Sequence, residues 1–225
     1  MTLPDKGRSD PARYKTAVLQ RRQLSPGTVQ LDLVRPHGFE FVAGQKIRLY
    51  SGVVSRDYSL ASAPAAPLLS ICVRIVAKGV LSPMLGAAKK QDSFSFTGPH
   101  GYFVFHPSNR HAVFVATGTG IAPFASMCRS GVSGVTLLHG IRDLKQRYYA
   151  ELFYRSAKQY VACLGSRSSS GQGAYPGRVT DFLAEKLPPG DYDFYLCGRR
   201  EMIRDATLII DDRFSSARIF TEIFY

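Results

Sequence analysis

A chain of 225 residues with 45% hydrophobic and 12% aromatic side chains can fill one large core or two small ones, which excludes the disordered class. No apolar run is long enough to cross a membrane, and the opening "MTLPDKGRSDPARYK" has no apolar core of a secretory signal, so the expectation is a flexible leader over 1–13 and a cytoplasmic protein. The net charge of +12, of which +8 falls in residues 1–107, suits phosphorylated cofactors or an acidic protein, but no block of five Lys or Arg argues for nucleic acid.

In chain order, the first half reads as β. Runs at "KTAVLQ", "TVQLDLV", "KIRLYSG", "LLSICVRIV" and "SFSFTG" are separated by the turn signals "SPG", "PHG", "APAAP" and "GPHG". Short strands at this spacing predict a small closed barrel or a sandwich over 14–107. One helix interrupts them at "GVLSPMLGAAKK", with Ser82 as its N-cap and Pro83 in its first position.

Residues 108–225 change pattern. Short apolar strands at "HAVFVA", "GVTLLHG", "QYVACLG", "DYDFYLCG" and "ARIFTEI" alternate with helical spacing at "APFASMCRS", "LKQRYYAELFYRSAK", "VTDFLAEKL" and "REMIRDATLIIDDRF". That alternation predicts an α/β domain with a doubly wound, five-stranded parallel sheet.

Cys72, Cys128, Cys163 and Cys197 form no C-x-x-C pair, so no metal site is expected. "VFVATGTGIAPF" places Thr117, Gly118, Thr119 and Gly120 after a strand, with Pro123 opening a helix. Small residues there let backbone N–H groups approach a phosphate, although a tight structural turn has the same composition. On a strand, Arg56 and Tyr58 of "RDYSLAS" share one face and Ser59 takes the other. An Arg beside a Tyr fits a ligand with phosphates at one end and a ring at the other, and equally an ordinary surface strand. A second anion cradle at Gly79–Ser82 suggests two nucleotides in all.

Taken together and in order, Arg56-Asp57-Tyr58-Ser59, Gly79-x-x-Ser82, Gly98-Pro99-x-Gly101, Gly118-Thr119-Gly120-x-x-Pro123, Cys197-Gly198 and Glu222-Ile223-Phe224 resemble the ferredoxin–NADP⁺ reductase family of flavoproteins, from about Tyr14 to Tyr225. The resemblance implies an antiparallel Greek-key β-barrel that binds FAD and an α/β domain that binds a nicotinamide nucleotide. It implies that Arg56 holds the FAD pyrophosphate, Tyr58 packs on the flavin, and Ser59 approaches flavin N5. Leu60, Val73, Gly79, Val80, Leu81 and Ser82 complete that site. Thr117, Gly118, Thr119, Gly120 and Pro123 would cradle the second pyrophosphate. Cys197 and Gly198 would face the nicotinamide, with Glu222 near both rings. Phe224 or Tyr225 would stack on the flavin until nicotinamide displaces it. Ser59, Cys197 and Glu222 are the catalytic candidates.

Ser166, Arg167, Tyr175 and Arg178 offer guanidinium and hydroxyl donors for a ribose 2′-phosphate, and no acidic residue follows that strand, which favours NADP(H) over NAD. The implied reaction passes a hydride from NADPH to flavin N5 and then single electrons to an acidic ferredoxin or flavodoxin, from a monomer. The alternatives are a reductase component of an oxygenase, a siderophore-iron or flavin reductase, a non-catalytic nucleotide-binding module, and a nucleic-acid binder.

Overall fold

The computed structural model describes residues 13–165 and 173–224. The expected leader up to residue 12 lies outside them. Arg13 is described, and its guanidinium stands 4.2 Å above the Tyr50 ring.

Six strands, β1 (Tyr14–Ser25), β2 (Thr28–Val34), β3 (Lys46–Ser51), β4 (Val54–Ser59), β5 (Leu68–Arg74) and β6 (Ser93–His100), form an antiparallel sheet in the order β4-β3-β6-β1-β2-β5. A bridge between Leu60, just past β4, and Ile71 of β5 brings the two edges of the sheet together at that point. Pro26 and Gly27 turn β1 into β2; Gly27 has φ +80°, the conformation a glycine supplies after proline in a tight turn. Val29, Leu31, Leu33, Ile47, Leu49, Leu69, Ile71, Val73 and Phe96 fill the interior.

The second sheet is parallel: β7 (His111–Thr117), β8 (Thr136–Ile141), β9 (Gln159–Leu164), β10 (Tyr175–Pro176), β11 (Tyr192–Arg199) and β12 (Arg218–Phe224), ordered β10-β9-β8-β7-β11-β12. The five expected strands are joined by the two-residue β10. Both faces are covered. Phe114, Ala116, Tyr195 and Cys197 pack on α2 (Ala122–Arg129) and α3 (Ala150–Ser156). Val113, Val115, Phe194 and Leu196 pack on α4 (Val179–Glu185) and α5 (Arg200–Arg213). Burial on both faces explains why β7 and β11 are almost continuously apolar.

Two helices differ from expectation. The barrel helix, α1, runs Leu81–Ala87 with Val80 at its N-cap, so Ser82 is not the cap. Its hydroxyl instead accepts the Val76 N–H at 3.1 Å, closing the turn before the helix. The single helix expected over "LKQRYYAELFYRSAK" breaks into a 3₁₀ turn at Leu144–Gln146 and α3, because Asp143 caps Lys145 N–H and Tyr149 adopts φ +58°.

That break lets Tyr148 reach back into the barrel. Its hydroxyl lies 2.8 Å from Ser25 Oγ and donates to Thr28 Oγ1 at 2.9 Å. From α2, Ser126 Oγ donates to the Ser62 carbonyl at 2.6 Å, and Arg129 donates to the Ala61 carbonyl. Barrel residues Ala43, Ala61, Cys72 and Phe103 share one apolar cluster with Phe124 and Cys197. The two sheets are therefore joined by apolar packing and by hydrogen bonds.

Candidate functional site

The pleat of two strands sets the barrel side. Lys46 on β3 is the cross-strand partner of Ser59 on β4, and Arg48 is that of Asp57. Residues two apart on a strand share a face, so these four side chains stand together on it. Glu222 arrives from β12, where it sits in register with Cys197 of β11. Ser59 Oγ donates to Glu222 Oε2 at 3.1 Å, and Lys46 Nζ lies 2.9 Å from Glu222 Oε1. Lys46 also lies 3.6 Å from Asp57, which holds Arg48 at 2.6 and 3.1 Å.

Ser59 and Glu222 are buried, and Cys197 is fully so. Burial alone would lower the Lys46 pKa, but the bond to Glu222, the Glu222 charge and then Asp57 outweigh it and raise it. Burial pushes the Cys197 thiol well up, and the Glu222 charge adds to this, so Cys197 is a neutral thiol. All three catalytic candidates thus lie in one place: Ser59 and Cys197 each meet Glu222, one by hydrogen bond and one by strand pairing.

Around this centre, Tyr58 is half-buried on the barrel core, and burial lifts its hydroxyl pKa to about 12. Arg56 is exposed and donates to the neighbouring Ser55 carbonyl. Leu60, Val73 and Leu81 are core residues, whereas Val80 is exposed and Gly79 closes a turn onto the Val76 carbonyl at 2.8 Å.

On the α/β side, Gly118–Ile121 is a 3₁₀ turn after β7, with Ala122 and then Pro123 opening α2. Gly118 has φ +53° and open space where a Cβ would stand. Thr117 Oγ1 accepts the Arg199 N–H at 3.1 Å, tying this turn to the end of β11 beyond Cys197 and Gly198. Thr119 is half-buried in the turn.

Tyr175 donates its hydroxyl to Glu185 at 2.9 Å, and Arg178 stands exposed at the N-cap of α4. Ser166, Arg167 and Tyr225 lie outside the described residues. Phe220 stacks on Tyr195 at 4.6 Å as core, leaving Phe224 half-buried at the rim of the cluster that contains Cys197.

Sequence reasoning missed Lys46 and His139. Lys46 reads as an ordinary surface position of a strand, and nothing local ties it to Glu222. His139 sits in the apolar run "TLLHG", fully buried, with Nε2 3.0 Å from the Gly118 carbonyl and Nδ1 3.2 Å from Tyr160 Oη. A polar residue inside a buried run is itself a signal, since burial demands partners.

The donor sets fit the two nucleotides. The Gly118 turn places the N–H groups of a helix start next to open space at Gly118, suited to a pyrophosphate. Arg56 offers an exposed guanidinium beside a half-buried ring and a buried hydroxyl, suited to a phosphate joined to a flat heterocycle. Among the described residues no helix is long and apolar enough to span a membrane, and no cluster of metal-ligating side chains occurs.

Comparison with known proteins agrees. Residues 16–105 match the oxidoreductase FAD-binding domain and residues 114–207 the oxidoreductase NAD-binding domain. A ferredoxin–NADP reductase B of Sorangium cellulosum is 32% identical over 214 residues, covering 84% of this chain and 88% of that protein. The toluate 1,2-dioxygenase electron transfer component of Pseudomonas putida is 32% identical over 210 residues; the match covers 85% of this chain but 61% of that one. The crystal structure of a ferredoxin NADP⁺ reductase from Neisseria gonorrhoeae with bound FAD and NADP superposes with a TM-score of 0.84 at 22% identity, over 95% of this chain and 99% of that chain.

Proposed function

The chain belongs to the ferredoxin–NADP⁺ reductase family, and on that premise we propose that it moves electrons between NADPH and a separate one-electron protein carrier. The observation that carries this reading is the convergence of Ser59 from the barrel with Cys197 and Glu222 from the α/β sheet at the seam between the two domains. Bound FAD supplies the exchange between a two-electron donor and one-electron acceptors.

The rest is placement by the protein. Arg56 neutralises phosphate charge on the barrel side, Tyr58 supplies a flat apolar contact, and Ser59 supplies a hydroxyl fixed by Glu222. The Gly118–Gly120 turn and the start of α2 take the pyrophosphate of the nicotinamide nucleotide. Cys197, uncharged and buried, offers a soft apolar contact beside it. Phe224 covers the rim and is displaced when nicotinamide enters; a stacked ring contributes about 0.5–1.5 kcal/mol beyond its burial, which a bound nucleotide can offset. Arg178 and Arg167, with the Ser166 hydroxyl, favour NADPH, whereas the Tyr175 hydroxyl proton is committed to Glu185.

An acidic ferredoxin or flavodoxin suits the +12 charge. The likeness to an oxygenase's electron transfer component favours one second reading, in which the acceptor is an oxygenase system.

Stopped-flow mixing of the FAD-reconstituted protein with NADPH and with NADH tests the proposal. NADPH should bleach the flavin absorbance faster, and the reduced protein should then reduce a ferredoxin or flavodoxin. Failure to retain FAD would overturn it.

A further inference from the structure

Glu222 is 7% exposed, yet it meets two donors from the barrel: the Ser59 hydroxyl on Oε2 and the Lys46 ammonium on Oε1. Lys46 reaches it because β3 and β4 place Lys46 directly across from Ser59. Gly101 borders both: a Cβ there would make ordinary van der Waals contact, 3.6 Å from Oε1 and 3.7 Å from Lys46 Cε. Asp57 lies 3.6 Å from the same ammonium and is itself held by Arg48. The Cys197 thiol borders the carboxylate and carries no charge.

A carboxylate that receives an ammonium is an acceptor on both oxygens. Ser59 must then spend its single proton on Glu222, and its lone pairs are what it shows to anything else nearby. A neutral carboxylic acid would reverse this: it would donate to Ser59, and Ser59 would turn its proton outward.

We propose that Lys46 is a positioning residue that sets the polarity of the Ser59–Glu222 pair, so that Ser59 presents an acceptor to the flavin. This rests on the reading that Ser59 borders flavin N5. That nitrogen is an acceptor in oxidised flavin and carries N–H when reduced, so an acceptor-presenting Ser59 favours the reduced form. Lys46 thereby raises the tendency of the bound flavin to hold electrons, through one hydrogen bond and not only through its charge.

The test uses the FAD-loaded full chain equilibrated with a redox dye of known potential. Lys46→Met should move the midpoint to more negative values, raising the oxidised-to-reduced ratio on the order of threefold to tenfold at fixed dye potential, the worth of one hydrogen bond. Lys46→Arg should restore it. Glu222→Gln, whose amide can donate to Ser59, should shift it the same way, and the double variant should add nothing further. Arg48→Met removes an equal charge from the same strand without touching Glu222 and should shift the potential less. Equal shifts from Lys46→Met and Arg48→Met, or none from Lys46→Met, would overturn the proposal. If Lys46→Met does not fold by circular dichroism, Glu222→Gln alone decides, and an unchanged potential in it overturns the proposal. Loss of FAD by the unmodified chain would instead overturn the underlying reading.

Discussion

A Cβ on Gly120 would sit 2.3 Å from the carbonyl oxygen of Cys197, so the turn after β7 and the end of β11 touch backbone to backbone. The obstacle is main chain and cannot rotate away. Gly120→Ala should therefore cost roughly 1–3 kcal/mol of stability and weaken NADP⁺ binding. Gly118→Ala meets no atom within 4 Å and pays only for its φ of +53°, about 1 kcal/mol. Urea melts and calorimetric titration of the two variants should rank them in that order.

His139 gives a pH signature. Burial drives its pKa to about 4, against the opposing bond to the Gly118 carbonyl. The folded value lies below the ordinary imidazole value of 6.5, so between them the unfolded chain binds the extra proton and stability falls as the pH drops. The loss between pH 7 and pH 4 should be on the order of 3 kcal/mol. His139→Gln should flatten that slope in urea melts at pH 5 and pH 7.

Tyr148→Phe strips one hydroxyl from two buried partners, Ser25 and Thr28. The cost should be roughly 1–2 kcal/mol, with Tm falling about 2–4 °C for each. Because this hydroxyl crosses between the sheets, limited proteolysis should also speed up in the variant.

Reduction of an acidic carrier should slow as salt rises from about 0.05 M to 0.5 M, since screening shortens the reach of exposed charge to within a few ångströms. Reduction of a small neutral dye by the same protein should change little. Parallel salt curves for both acceptors would remove the electrostatic docking idea.

The strands were legible because their patterning is local: β7 and β11 are apolar runs, and "SPG" marks the β1–β2 turn. The breaks were not. The run 144–158 has helical spacing throughout, and it breaks where Tyr148 finds its hydrogen-bond partners in the barrel. Ser82 has the residue type of a cap, yet its hydroxyl is taken by Val76. Motif order named Ser59, Cys197 and Glu222, but the ammonium that binds Glu222 belongs to no motif and emerges only when β3 pairs with β4. Composition reports what a residue can do, and pairing decides what it meets.

Ser59 rides with the barrel, and Glu222 is laced by β12 into the other sheet beside Cys197. Any rocking of one domain on the other must stretch or shear the 3.1 Å bond between them. That bond is therefore a built-in gauge of any shift between the two sheets. A vibrational label on the Glu222 carboxylate would read such a shift without a dye, a substrate or a second protein in the cuvette.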